Sequence, residues 1–257
     1  HIIVCIKSVV TDAPRGRIIR TADKCALNPF DRPALEIALQ LKETHSGSVT
    51  VFSMGPPTAE ATLREALATG ADRAVLLCDP ALAGSDTLAT STALCAGVNY
   101  LAPFDLLLFG TRTSDSDTGQ VGPQTAVLLD LPMVTGVTQI DGSPQRLRVE
   151  REVDGFSETY EMDTPASLTI HPTAAVSRDP TLGGITRAFD EMPVEMIDTG
   201  QVGLDPSRVG EAGSPTRVRS MKPAHRDRTC QWIEGTPVAQ ADALVQRLVD
   251  AGLIGKP

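Results

Sequence analysis

Short apolar runs alternate with longer segments of helical spacing through the first half of the chain. The runs have the length and composition of buried strands, and the segments between them repeat apolar residues every three or four positions. This alternation predicts βαβ units, a parallel sheet and helices on both of its faces. The predicted strands are residues 2–6, 49–54, 73–78 and 105–109, and the predicted helices are residues 32–43, 59–69, 87–101 and 120–129.

The pattern changes after Leu131. Asp141-Gly142 and Asp154-Gly155 each separate two strand-like segments, and an Asp-Gly pair at such a place predicts a hairpin. The predicted fold class is therefore α/β: a Rossmann-like parallel sheet with helices on both faces, followed by an antiparallel extension. The strands of this second part are residues 133–140, 147–153, 156–162 and 167–170.

Residues 173–228 are rich in Pro, Gly, Ser and Thr, which prevent long regular elements. Helical spacing returns between Pro237 and Leu253, through Leu244 and Leu248 among others. We expect this last part of the chain to be a C-terminal arm and helix that pack on another chain. A partly disordered tail is the alternative interpretation.

Composition narrows the class of partner and the compartment. The formal net charge is −9, and no long run of Lys or Arg indicates a nucleic-acid footprint. The five scattered cysteines are never in CxxC spacing, which favours neither a disulfide framework nor a zinc site. No segment approaches the roughly 20 apolar residues that span a bilayer, and no secretory signal opens the sequence. We expect a cytoplasmic protein with protein or small-molecule partners.

Motifs for several catalytic classes are missing from the sequence. It contains no GxGxxG that opens a helix after a strand, no GxxxxGK[ST] and no GxSxG nucleophile elbow. The four histidines are dispersed, so a histidine-based metal site or triad has no local support. We therefore predict no catalytic residue and no metal ligand.

Two polar loops follow predicted strands, where ligands of open α/β sheets bind. The loop from Gly110 to Gly122 holds hydroxyls, carboxylates and glycines and then opens a helix, whose free N–H groups favour a phosphate. Within it Gly119 permits close backbone approach, and Thr118 can cap the helix or donate to a ligand. The loop therefore predicts one side of an anion-binding crevice.

The loop one unit earlier has similar chemistry. Thr87 and Thr90 are three residues apart and share one face of a helix's first turn, directly after Asp86. Two helix starts would then point into one crevice. The alternative interpretation is that Ser85, Asp86 and Thr118 are ordinary helix N-caps.

Asn28 lies just before a predicted helix with Asp31 at its N-cap position. If Asp31 caps the helix, the Asn28 amide is left free to hydrogen-bond a purine or a ribose. A simple turn asparagine is the alternative.

Several motifs in this order and spacing resemble the electron transfer flavoprotein beta subunit family, well over residues 1–190 and loosely beyond. Each motif alone is weakly specific, but the combination is specific. The motifs are Asn28-Pro-Phe-Asp31, Ser53-Met-Gly-Pro-Pro57, Arg64-Glu-Ala-Leu-Ala-Thr-Gly-Ala-Asp-Arg73, Asp86-Thr-Leu-Ala-Thr90 and Asp117-Thr-Gly-Gln-Val-Gly-Pro-Gln124.

The resemblance implies an adenine nucleotide alpha hydrolase-like fold and a heterodimer with an electron transfer flavoprotein alpha subunit. The redox-active FAD would lie mainly on that subunit, and the crevice of this chain would hold AMP or a second FAD. Residues 1–190 would be the nucleotide-binding domain, with the antiparallel meander at about 133–170, and residues 191–257 the arm. The cofactor-binding residues implied are Cys5, Lys7, Asn28, Met54, Gly55, Asp86, Thr87, Thr90, Asp117, Thr118, Gly119, Gln120 and Val121.

The sequence also departs from the family pattern. Asp86-Thr-Leu-Ala-Thr90 looks more like the two-flavin, electron-bifurcating branch than the AMP branch, but Gly110-Thr-Arg-Thr-Ser-Asp-Ser-Asp117 replaces the usual loop. The loop that docks dehydrogenases is kept loosely as Ser177-Arg-Asp-Pro-Thr-Leu182, with Leu182 as the expected anchor, and Arg187-Ala-Phe-Asp-Glu-Met192 replaces its lysines.

A second function class is a stand-alone adenine-nucleotide binder or hydrolase of the stress-protein type. In that interpretation Asp115 and Asp117 would be metal ligands. The long C-terminal arm, which has no use in a monomer, favours the electron carrier, a protein that is not an enzyme by itself.

Overall fold

The computed structural model describes residues 1–11, 21–220 and 230–255. Contacts divide the chain into two compact units, residues 1–221 and residues 222–257. The strands are β1 Ile2–Cys5, β2 Ser8–Val10, β3 Cys25–Leu27, β4 Val49–Met54, β5 Arg73–Leu77, β6 Leu106–Gly110, β7 Met133–Ser143, β8 Arg146–Val153, β9 Phe156–Asp163, β10 Ala166–Ile170 and β11 Val194–Ile197. The α-helices are α1 Arg32–His45, α2 Glu60–Thr69, α3 Thr87–Tyr100, α4 Val121–Leu128, α5 Leu182–Asp190, α6 Gly210–Gly213 and α7 Pro237–Asp250.

A nine-stranded sheet in the order β11-β5-β4-β1-β6-β10-β7-β8-β9 forms the centre of the first unit. All neighbours from β11 to β7 run parallel, and β8 and β9 continue the sheet antiparallel. The predicted α/β class with its antiparallel extension is thus confirmed. A separate two-stranded antiparallel sheet joins β2 to β3.

Alternating side chains of the parallel strands bury both faces of the sheet. Val4 and Val51 face a core completed by α1 and α2, whereas Ile3 and Phe52 face a core completed by α3. Gly97 of α3 lies directly on the Phe52 ring, where any Cβ would collide with it. These two cores hold helices on both faces, as the apolar pattern predicts.

One predicted turn is wrong. Pairing between β7 and β8 continues through Gly142 to Ser143 and Arg146, so the chain reverses at Pro144 and Gln145 rather than at Asp141-Gly142. Asp154 and Gly155 do form the second turn, with φ of 52° and 81°, the left-handed values that such a two-residue turn requires.

The sheet also extends beyond the predicted domain boundary at residue 190. β11 pairs in parallel with β5 at the sheet edge, and Ile197 and Val209 are buried against the α3 side. On the other face, α5 packs on α2 through buried Ala188. The segment of residues 173–228, which was predicted to lack long regular elements, therefore contacts the core as far as residue 209.

The second unit contains α7, Pro237–Asp250, within the segment 237–253 for which helical spacing was predicted. Thr236 caps the helix by accepting from Ala239 N, and Pro237 occupies the first turn, where its missing N–H costs nothing. None of its side chains is buried, and Leu244 is half exposed. Across the described residues, no helix has the length and apolarity needed to cross a membrane.

Candidate functional site: the carboxyl edge of the sheet

The strand order reverses between β1 and β6. From β1 the chain moves to β4 and β5 on one side, and it returns to β6 on the other side. Ligands of open α/β sheets bind at such a switch point, beyond the carboxyl ends of the two strands. Here the loops after β1 and β6 meet, because Lys7 Nζ lies 2.7 Å from Asp115 Oδ1.

Lys7 and Asp115 are both partly covered, with side chains 35% and 16% exposed. Partial burial opposes ionisation of Asp115, but the hydrogen bond and charge of Lys7 outweigh it and hold the pKa of Asp115 below its ordinary value. Ser116 adds a hydroxyl within 3.3 Å of Lys7 Nζ. The ion pair therefore tethers the loop after β6 to the end of β1.

Asp31 is buried beside the backbone of Lys7, and the sequence analysis did not predict it as a site residue. Its carboxylate accepts from Lys7 N at 2.7 Å, from Asn28 Nδ2 at 2.8 Å and from Gly110 N. Burial raises the pKa of Asp31 to about 7, although these hydrogen bonds act to lower it. Gly110 lies so close that any Cβ would collide with Asp31 Oδ1 and Phe30 O.

These contacts correct the prediction for Asn28. Asp31 occupies the N-cap position of α1 but makes no side-chain capping bond. The Asn28 amide is not free: Nδ2 donates to Asp31 and to Arg112 O, and Oδ1 accepts from Ser114 N. Asn28 therefore shapes the loop after β6 from within, and no sequence signal reveals these distant partners.

Asp86 caps α3, as the alternative interpretation held. Its Oδ1 accepts from Leu88 N and Ala89 N at 3.0 Å each. These two N–H groups are therefore already occupied by Asp86, and the binding role of Thr87 and Thr90 stays a prediction. Ser85 is not the cap, since its hydroxyl donates to Leu82 O.

The start of α4 differs, because no side chain caps it. Thr118 is outside the helix and makes no capping bond, and Gln120 occupies the N-cap position. In the described part of the chain no group accepts from Val121 N or Gly122 N. Gly119 before them has φ of 62°, which favours glycine. α4 therefore presents free backbone donors.

The two helix starts lie side by side. The Thr87 hydroxyl donates to Gln120 Oε1 at 3.0 Å, and buried Ser91 lies 3.2 Å from Val121 O. Within the described ranges the Thr90 hydroxyl has no protein partner. These contacts place the first turn of α3 beside the uncapped start of α4.

The remaining predicted residues lie at the ends of β1 and β4. Cys5 is buried in the α3-side core, where burial raises the pKa of its thiol, so the side chain is an inert core group. Met54 is half-buried at the end of β4, and Gly55 N donates to Leu77 O at 3.1 Å.

Comparison with known proteins decides the family. The model of the "Electron transfer flavoprotein domain" matches residues 16–193. The electron transfer flavoprotein subunit beta of Thermoanaerobacterium thermosaccharolyticum is 37% identical over 254 residues, covering 96% of this chain and 97% of that protein. The chain belongs to the electron transfer flavoprotein beta subunit and FixA family.

Two further relatives carry other names. The caffeyl-CoA reductase-Etf complex subunit CarD of Acetobacterium woodii is 38% identical over 263 residues, which cover 99% of this chain and all of that protein. Protein FixA of Azorhizobium caulinodans is 38% identical over 264 residues, covering 96% and 93%. The predicted resemblance is confirmed, and the chain is an electron-transfer component of a flavoprotein.

Within this electron transfer flavoprotein family member, Asp115 and Asp117 are poor candidates for metal ligands. Asp115 pairs with Lys7, and Asp117 Oδ1 lies 3.5 Å from Arg112 Nε. No group of three or more acidic, His or Cys side chains in the described ranges is arranged to hold a metal ion. The pairing with cations removes the main support for the stand-alone hydrolase.

Leu182 begins α5 and is 86% exposed. Thr181 caps the helix by accepting from Gly184 N. This cap holds Leu182 in the first turn of α5. Ile185 and Phe189 are exposed on the same helix. The flavoprotein thus presents a short apolar helix face next to its predicted anchor.

Proposed function

We propose that this chain pairs with an electron transfer flavoprotein alpha subunit and carries electrons between dehydrogenases and an acceptor. The flavin supplies the redox chemistry by accepting and releasing electrons, and the protein positions it. In this proposal the crevice between the starts of α3 and α4 holds an adenine nucleotide. Family membership is the observation that carries the electron-transfer part of the proposal.

The donors at the carboxyl edge fit the phosphates of such a nucleotide. Val121 N and Gly122 N point from an uncapped helix start, and the Thr90 hydroxyl has no partner in the described structure. The partial positive charge of a helix start favours an anion there. Gly119 leaves the backbone free of a side chain at the point of approach.

The second nucleotide is proposed to be FAD, with AMP as the other outcome. The paired hydroxyls of Thr87 and Thr90 on one turn of α3 support this choice, because an FAD pyrophosphate offers more acceptor oxygens than a single phosphate. The shared redox FAD is proposed to lie mainly on the alpha subunit.

Exposed apolar side chains on the second unit support an interface with a protein partner. α7 carries half-exposed Leu244 and Val245, and Val238 is 72% exposed on the same helix. An apolar helix surface of this extent is typical of a protein interface. We propose that α7 packs on the alpha subunit as part of the predicted C-terminal arm, and that the chain alone aggregates.

One experiment tests the proposal. The chain is produced together with an electron transfer flavoprotein alpha subunit, the complex is purified by gel filtration, and FAD and AMP are counted after denaturation. Two FAD per heterodimer support the two-flavin form, and one FAD with one AMP supports the AMP form. A stable monomer without flavin would contradict the proposed function.

A further inference from the structure

The segment after β11 is hydrogen-bonded along the connection between β5 and α3. Thr199 donates to Asp79 through both its N–H and its hydroxyl. Gly210 N donates to Ser85 Oγ at 2.9 Å. The loop of residues 79–86, which leads into α3, is therefore held from outside by residues that follow more than a hundred positions later.

Two residues of the same segment reach Asp86 itself. Ser214, which is 6% exposed, accepts from Asp86 N at 2.8 Å. Thr216 donates to Asp86 Oδ2 through its N–H at 2.9 Å and its hydroxyl at 2.7 Å. The other oxygen, Oδ1, is the one that caps Leu88 and Ala89. Asp86 thus bridges this segment to the first turn of α3.

We propose that Ser214 and Thr216 are positioning residues for the nucleotide crevice and act on the start of α3 through Asp86. A carboxylate is planar, so holding Oδ2 in place also fixes the direction of Oδ1 and the first turn that it caps. That turn carries Thr87 and Thr90. The inference rests on the proposed function, since it needs a nucleotide at this turn.

The negative charge of Asp86 predicts that disturbing this residue weakens nucleotide binding. Burial opposes ionisation of Asp86, but the Ala89 N–H and both Thr216 donors outweigh it and lower the pKa of Asp86, so the carboxylate is negative at neutral pH. A negative group beside a phosphate site repels its ligand. Thr216 holds Oδ2 by two hydrogen bonds, and loss of its hydroxyl would leave the backbone N–H of residue 216 as the remaining one, so the carboxylate and the turn that it caps would be held less firmly.

The test uses the purified complex of this chain with its alpha subunit, freed of bound nucleotide and titrated with AMP and with FAD. Thr216→Val removes the hydroxyl and keeps the shape, and Thr216→Ser restores it. Ser214→Ala removes the second contact. Thr92→Val is the matched control, because among the described residues the Thr92 hydroxyl bonds only Leu88 O of its own helix.

We expect Thr216→Val to weaken nucleotide binding about three- to tenfold with an unchanged urea midpoint, and Thr216→Ser to recover most of the loss. Ser214→Ala should weaken binding as well, and Thr92→Val should not. If Thr90→Val weakens binding while Thr216→Val does not, the positioning role is overturned and the proposed crevice stands. If the wild-type complex binds neither AMP nor FAD, both ideas are overturned.

Discussion

Lys7 Nζ lies 2.7 Å from Asp115 Oδ1, so an ion pair joins the ends of two strands whose connections leave in opposite directions. With Asp31 buried beside the backbone of Lys7, this pair fixes the loop that leads to α4 before any ligand arrives. Ordering of that loop therefore adds little cost to binding.

Thr90→Val is expected to weaken binding of the crevice nucleotide by on the order of 1–2 kcal/mol, roughly tenfold. The hydroxyl has no partner in the described structure, so its removal breaks no contact within the protein. Thr87→Val should have a similar effect but also releases Gln120. The nucleotide released on denaturation measures the content of each variant. An unchanged content in both would show that the two hydroxyls do not bind the nucleotide.

Gly119→Val is expected to be more damaging than loss of a hydroxyl. A branched side chain is strained at φ of 62°, and its Cβ would lie 3.2 Å from Thr111 O, beside the free donors of α4. Gly203→Val is the matched control, because Gly203 has φ of 66° with open space around it. If the two variants lose the same amount of nucleotide, backbone strain alone explains the effect of Gly119→Val.

Asp31→Asn tests the buried carboxyl. The pKa of Asp31 is raised from 3.8 to about 7, so its contribution to stability is complete below about pH 4 and is lost as the pH rises through 7. The stability advantage of wild type over Asp31→Asn should therefore shrink by roughly 2 kcal/mol between pH 5 and pH 7.5.

Urea unfolding at the two pH values measures this difference. Asp190→Asn, which removes an exposed carboxylate, controls for the change in net charge. A difference between wild type and Asp31→Asn that stays constant with pH would contradict the raised pKa.

Leu182→Ala is expected to slow electron transfer from a dehydrogenase about tenfold, because a single exposed apolar anchor can dominate a small transient interface. Flavin content should stay unchanged. Val176→Ala, at a side chain 94% exposed before α5, is the control. Rapid-mixing kinetics measure the rate, and loss of flavin from Leu182→Ala would place this residue in a structural role instead.

Periodicity was sufficient to predict the parallel strands β1, β4, β5 and β6 and the helices α1 to α4, because their apolar residues recur at regular spacing. It failed for β2, β3 and β11, because these short strands are defined by pairing with a strand elsewhere in the chain and their own sequences show no strand pattern. The predicted turn at Asp141-Gly142 was wrong because the pairing of β7 with β8 continues past these two residues.

The sequence was sufficient to predict which loops form the candidate site. It was not sufficient to predict the hydrogen bonds within them. Strand ends and helix starts located Lys7, Thr87 and the loop after β6, since these positions follow from topology. Whether the Asn28 amide is free, or what holds Asp86, depends on residues such as Arg112 and Thr216 that no local pattern connects to them.

The pairing of β11 with β5 has a consequence for biosynthesis. β5 is an apolar strand whose outer edge stays open until β11 is available. On the ribosome, Cys78 to Ile197 must be made first, which at about 5–20 residues per second takes on the order of ten seconds. During that interval the nascent chain exposes a strand edge of the kind that recruits other chains. Premature termination before residue 194 would leave the edge open permanently.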